Sequence, residues 1–530
     1  MEILLRCLML LVKLVYWIVY PVLIILRPRD KNRVLPPIKN KLLTLPISQL
    51  VEQLRTSKLE CKELISVYIE RIKEVNPHLH AVVEERFNEA LMEAQHVDEL
   101  INNAASEFEL QHLYADKPLL GIPFTVKEAC GLKGMSHVVG SLQRIGMKST
   151  DDGQVVHLLK AAGAIPLLVS SNPEYCFSIE TNTYINGMCK NPFDTRRSAG
   201  GSSGGEGALN GAGASVFGIG SDIAGSIRLP CLFNGVFGHK PTGGLTSVQG
   251  HYPDGNDPNF GNYLQLGPIT RFSRDLPLLL EIMVGKEADK LKLQEPVEIK
   301  NLKIYYSLGF SGINGFFHST VAVDIKLAIQ KAVEYFQKIG VPTKQSNIKG
   351  FHNSTEIGLS GIVRLTGFPF LINNKDGKEV TIKQTLWEYV CSLYSQSQYT
   401  KDALVFELMR RSNGFMTAKN TQQYIDETAC LKMEIIDLLG NNGVLFFPTF
   451  LVPAIHHHTS HLPIWGIDYT LIFNVLGLPA THIPMGLDAL GLPIGFQVIA
   501  APYMDKLCFQ VASELEQAFG GWTPPTSHSF

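Results

Sequence analysis

Two kinds of side chain in this sequence invite a chemical reading. Lys127 closes the short apolar run LLGIPFTV at 119–126, and Ser202, Ser203 and Ser226 lie in or just beyond a stretch of extreme glycine density at 199–225. A serine hydroxyl is a weak nucleophile until a neighbouring base takes its proton. A lysine serves as that base only when unprotonated, a state that burial in apolar surroundings favours. Gly201-Ser202-Ser203-Gly204-Gly205 also fits G-x-S-x-G, a turn that presents a hydrolase serine but needs a strand immediately before it. Residues 192–198, PFDTRRS, make a poor strand. A phosphate-binding loop is excluded because the run lacks G-x-x-x-x-G-K-[ST]. The plain alternatives are a solvated strand end for Lys127 and ordinary turn serines in the glycine run.

The elements that must position these residues can be read from periodicity. Apolar residues at three- to five-residue steps predict a helix over 48–76, ended by Pro77, and others over 155–162, 325–339 and 429–439. Short apolar runs predict strands at 119–126, 164–170, 444–447 and 495–499. The alternation of helix and strand implies an α/β fold. Val216, Phe217, Ile219, Ile227 and Leu229 sit in and after the glycine stretch, so its glycines are expected to be packed and not a flexible linker.

Residues 7–26, CLMLLVKLVYWIVYPVLIIL, are about the length a helix needs to cross a bilayer core. Lys13 costs ~3 kcal/mol at a helix centre, against roughly 4–8 kcal/mol returned by the 13 Leu, Ile and Val residues, and it can snorkel. Arg27-Pro28-Arg29 follow with no small-residue cleavage site, which argues against a cleaved leader. Pro21, with Tyr16, Trp17 and Tyr20, keeps a shallow hairpin in one leaflet open beside a full span. The basic flank after the segment favours a cytosolic body. The chain thus divides into an anchor with its flank at 1–33 and a body at 34–530.

The 530 residues carry 47 basic and 49 acidic side chains, net −2, and 18% are charged against ~25% in typical soluble domains. This balance excludes disorder and argues against nucleic acid as the main partner. Nine scattered cysteines show no disulfide or zinc spacing, and Cys176 reads as a packing residue. His456-His457-His458 with His461 lacks the helical H-E-x-x-H spacing of a zinc site.

A longer pattern orders these residues. GIPFTV-Lys127 precedes Gly200-Gly201-Ser202-Ser203-Gly204-Gly205; Ser226 stands 24 positions beyond Ser202 in SDIAGSIR, and Gly238-His239-Lys240-Pro241-Thr242 follows. With FNVLGLPATHIPMG at 473–486 and GLPIGFQVI at 491–499, the chain from about Leu50 onward resembles the amidase signature family. Within it, the membrane-anchored fatty-acid amide hydrolases are the most similar branch. The resemblance implies a large twisted mixed β-sheet covered by helices on both faces, with the amino-terminal transmembrane helix added. It implies Ser226 as nucleophile, Ser202 as a bridging serine entered through a cis peptide bond, and Lys127 as base. It implies an oxyanion hole from the backbone N–H groups of Ile223, Ala224, Gly225 and Ser226. Ala224 stands where the family usually has Gly; a positive φ there would cost ~1–2 kcal/mol. Ser203 either supports Lys127 or completes a turn, while Asp222 and Arg228 read as structural partners of the loops.

The expected function is membrane-bound hydrolysis of long-chain fatty-acid primary amides and N-acylethanolamines, with no metal or cofactor. Residues 402–409, DALVFELM, suit either an apolar portal or a core helix. The expected partners are a lipid amide and a membrane or lipid-droplet surface, with the endoplasmic reticulum as a compartment and a homodimer allowed. The competing readings are the amidase subunit of a glutamine-dependent amidotransferase, disfavoured by the membrane segment, and an inactive binding protein, disfavoured by the intact Lys127, Ser202 and Ser226.

Overall fold

The computed structural model describes residues 2–26, 35–367, 371–372 and 380–526. The basic residues Arg27, Arg29, Lys31 and Arg33 of the expected flank lie outside the described residues. Thirteen strands occur among the described residues. The first seven are β1 (Val82–Glu85), β2 (Pro123–Lys127), β3 (Ile165–Ser170), β4 (Asn182–Thr183), β5 (Gly187–Met188), β6 (Phe217–Asp222) and β7 (Phe237–Lys240). The rest are β8 (Gln265–Thr270), β9 (Lys303–Tyr306), β10 (Thr343–Gln345), β11 (Gly443–Phe447), β12 (Ala480–Leu487) and β13 (Pro493–Ala500). β4 and β5 pair with each other; the other eleven form one mixed sheet, ordered β1-β3-β2-β6-β8-β7-β12-β13-β11-β9-β10. Parallel pairs lie towards both ends, and the middle from β6 to β11 is antiparallel.

The period-2 alternation of the strands shows that helices cover both faces. In β11, Val444 and Phe446 pack with Ile329 and Phe336 of the helix Val323–Lys338. Leu445 and Phe447 join Leu431 and Ile435 of the helix Ala418–Leu439 on the other side. β2, β3, β6 and β8 are buried along their whole length, as strands covered on both faces must be. The edges are short and charged: β1 ends in Glu84 and Glu85, and β10 carries Lys344.

The predicted helix over 48–76 is two helices, Ile47–Arg55 and Cys61–Leu79. Ser57 adopts φ 52° between them, and the Asp98 carboxylate accepts from Cys61 N at 2.6 Å and Lys62 N at 3.0 Å to start the second. Pro77 does not end the helix as the sequence predicts: it falls in the last turn, where it forfeits one N–H to i−4 carbonyl bond, and the helix runs on to Leu79. Of the run at 119–126 only the end is strand, because Gly121 turns the chain at φ 77° just before β2. β12 has a weak sequence signal because Pro484 interrupts it next to an irregularity in the β12–β13 register.

The amino-terminal helix Ile3–Leu26 is long and apolar enough to cross a membrane. Its first two turns nevertheless pack on the body. Leu5 and Met9 are buried, and Arg6 forms a buried ion pair with Glu356 of the helix Ser354–Val363. Arg6 Nη1 also donates to Asn314 Oδ1 at 2.6 Å. Beyond these turns Leu11, Leu14, Trp17, Ile18 and Ile25 are exposed.

Candidate active site

Lys127 is the last residue of β2 and is fully buried between β3 and β6. Its Nζ lies 2.6 Å from Ser202 Oγ and 2.9 Å from Ser221 Oγ. The solvated strand end is therefore not what the fold builds. Ser202 follows a cis Gly201–Ser202 peptide bond. A Cβ on Gly201 would stand 2.5 Å from Ser178 O, so the glycine-rich run is packed, as its embedded apolar residues imply. No strand precedes Ser202 or Ser203; Ser203 caps the helix Gly204–Gly211, which removes the nucleophile-turn reading of G-x-S-x-G. Ser203 Oγ lies 3.4 Å from both the backbone N and O of Ser221, and its own N–H donates to Ser226 O at 3.1 Å. It thus ties together the backbones that carry Ser221 and Ser226.

Asp222, at the end of β6, organises the turn that presents Ser226. Its carboxylate accepts from Gly225 N at 2.6 Å and Ile227 N at 3.2 Å. It also pairs at 3.0 Å with Arg228, both side chains being fully buried. Burial alone would raise the Asp222 carboxyl, but the Arg228 guanidinium and the Asn474 amide outweigh it and hold the group well below the usual carboxylate range. Arg228 is held in turn by Asn474 Oδ1 at 2.6 Å and Gln497 Oε1 at 2.8 Å. This is the structural role expected of the pair.

The feared strain at Ala224 is absent, because the positive φ falls on Gly225, at 112°. Thr470 Oγ1 donates to Ala224 O at 2.7 Å and steadies the turn. One correction concerns the oxyanion donors: the Gly225 N–H is held by Asp222. The N–H groups of Ile223, Ala224 and Ser226 have no hydrogen-bond partner among the described residues.

Ser202, Ser221 and Ser226 line one cleft with an apolar wall of Tyr175, Phe177, Ile223, Phe260 and Leu264. Phe177 stacks on Phe406 of the helix Lys401–Arg411, with ring centroids 4.1 Å apart. Within the segment 402–409, Phe406 packs behind the cleft wall, and Ala403 and Leu404 are buried as in a core helix. Cys176 also lines the cleft; burial raises its thiol, which keeps it protonated.

Two cleft residues escaped the sequence reading. Ser221 stands in the SDIAGSIR motif with no role evident from spacing, and His251 has no motif around it. Only the parallel pairing of β2 with β6 brings Ser221 beside Lys127. The histidine cluster pairs with carboxylates instead of converging: His457 Nδ1 lies 3.0 Å from Glu180 and His461 Nε2 3.0 Å from Asp402. Among the described residues no three His, Cys, Asp or Glu side chains are grouped to hold a metal ion.

Comparison with known proteins agrees with this geometry. The family model described as Amidase matches residues 63–509. Fatty-acid amide hydrolase 2-A of Danio rerio is 38% identical, over 97% of this chain and 96% of that protein. Fatty-acid amide hydrolase 2 of Homo sapiens is 36% identical, over 94% and 93% respectively. A solved structure described as an amidase superposes with a TM-score of 0.71 at 23% identity, covering 90% of this chain and all of that one. Its likeness concerns the fold. A family match across most of the body, relatives aligned almost end to end, and a buried lysine bonded to a serine of the glycine-rich motif lead to one conclusion: the chain belongs to the amidase family.

Proposed function

We propose that this protein is a membrane-bound serine hydrolase of fatty-acid amides, releasing a free fatty acid and an amine or ammonia. The observation that carries the reading is the Lys127–Ser202 hydrogen bond at the base of a cleft that also holds Ser226 and is walled by aromatic and aliphatic side chains. The near full-length relatives named fatty-acid amide hydrolase 2 support the substrate class.

The reaction follows from the residues present. Ser202 accepts the proton of Ser226 and passes its own to Lys127, so that Ser226 Oγ attacks the amide carbonyl carbon. Negative charge moves to the carbonyl oxygen, where the N–H groups of Ile223, Ala224 and Ser226 receive it. The proton held on Lys127 returns through Ser202 to the nitrogen, the C–N bond breaks, and the acyl group remains on Ser226 as an ester. A water then gives its proton to the same relay and cleaves that ester to the carboxylic acid.

The amino-terminal helix supports residence on a membrane or lipid-droplet surface, where long-chain amides concentrate, with the endoplasmic reticulum as the compartment. The test is a hydrolysis panel on detergent-solubilised full-length protein, with oleamide, an N-acylethanolamine, glutamine and a short aryl amide. Turnover of the two lipid amides well above the others is expected. Glutamine as the preferred substrate would instead support the amidotransferase reading.

A further inference from the structure

His251 is buried and faces Ser221 directly: its Nε2 lies 2.9 Å from Ser221 Oγ, and its Nδ1 lies 2.8 Å from Pro253 O.

A carbonyl only accepts, so Nδ1 carries the imidazole proton and donates it to Pro253 O. The ring is neutral, because burial and the neighbouring Lys127 push its titration down to about 3. Nε2 is therefore a bare acceptor, and among the described residues its hydrogen-bond partner is the Ser221 hydroxyl, which donates to it.

We infer that His251 is a positioning residue: by accepting the Ser221 proton, it makes Ser221 Oγ an acceptor for Lys127 Nζ and leaves the lysine lone pair to Ser202. The direction runs one way along the chain, from Lys127 to Ser221 to His251 to Pro253 O. Without the acceptor, the Ser221 hydroxyl can turn its own proton onto Lys127 and compete with Ser202. The same acceptor supports the protonated lysine once Ser202 has delivered its proton. The other titratable groups around this chain are Cys176 on the turn after β3, Cys130 after β2, Glu206 on the helix Gly204–Gly211, and His137. The inference rests on the lysine-based reading above and adds to it the residue that aims the base.

The test is the rate of fluorophosphonate labelling against pH, with full-length protein in detergent. His251→Phe is expected to label about tenfold more slowly, the order of one lost buried hydrogen bond, and its acid limb is expected to move to lower pH. His251→Gln, which restores an acceptor, is expected to recover most of the rate. In a Ser221→Ala background, His251→Phe is expected to add little further loss. An unchanged rate and profile in His251→Phe, no recovery in His251→Gln, or additive losses with Ser221→Ala would each overturn the inference. If His251→Phe does not fold, Ser221→Ala alone decides: a wild-type rate and profile there overturns it. Labelling that persists in Ser226→Ala would instead sink the underlying nucleophile assignment, so the two failures are distinguishable.

Discussion

Lys127 Nζ and Ser202 Oγ, 75 residues apart in the chain, meet at 2.6 Å at the buried end of β2. A lysine fully removed from water is costly unless its nitrogen is hydrogen-bonded, and here two hydroxyls supply those bonds.

Removing either end of the relay should therefore stop the reaction. Lys127→Ala is expected to slow acylation by about 10²–10⁴-fold, the usual contribution of a positioned base. Ser226→Ala should abolish fluorophosphonate labelling, whereas Ser203→Ala should retain part of it. The reverse result for the two serines would place the nucleophile at Ser203.

Gly225 cannot carry a side chain. Its φ is 112°, and a Cβ would stand 2.3 Å from Thr470 Oγ1. Gly225→Ala should displace the turn that aims the oxyanion donors and lower kcat by about 10²–10³-fold, with a smaller change in KM. Ala224→Gly should stay close to wild type, since Ala224 has no positive φ to relieve. Steady-state kinetics on a soluble aryl amide checks both.

The Asp222–Arg228 pair is fully buried, so removing one partner leaves an uncompensated charge. Arg228→Met should destabilise the protein by about 3–5 kcal/mol, and adding Asp222→Asn should recover part of that loss. Denaturant unfolding followed by fluorescence gives the comparison. A harmless Arg228→Met would show that water reaches Asp222.

Deleting residues 1–33 should reduce membrane association and also lower thermal stability, because it strips Arg6 from the buried Glu356. Glu356→Gln in the truncated protein should restore part of the stability without restoring membrane binding. Vesicle sedimentation and thermal melts separate the two effects. A truncation as stable as the full chain would mean that the Arg6 contact contributes nothing.

Asp275 gives a pH dependence of stability. Burial pushes its carboxyl up to about 7, against the opposing pull of the Ile47 N–H and Arg271. Between about pH 4 and pH 7 the folded protein keeps a proton that the unfolded chain has released, so this group's contribution to stability falls as pH rises and levels off above. Asp275→Asn keeps an acceptor for Ile47 N without the charge. The melting temperature of the variant relative to wild type should rise from about pH 5 to about pH 8. A constant difference would mean that Asp275 is not protonated in the folded state.

The ordered motifs around Lys127, Ser202 and Ser226 were legible in the sequence because their glycines and serines occupy fixed local positions within short loops. Strand and helix type followed from apolar periodicity, most securely at 165–170 and 443–447, where the residues are buried on every side. The break at Ser57 and the extent of β12 were not legible, since each depends on a distant partner: Asp98 for the one, β7 and β13 for the other. The destination of the Gly225 N–H, the harmless backbone of Ala224, and the docking of Arg6 on Glu356 also required the tertiary structure. Ser221 and His251 make the same point. Hydrogen-bond direction depends on which atoms meet in space, and only the parallel placement of β2 beside β6 sets Ser221 between Lys127 and His251.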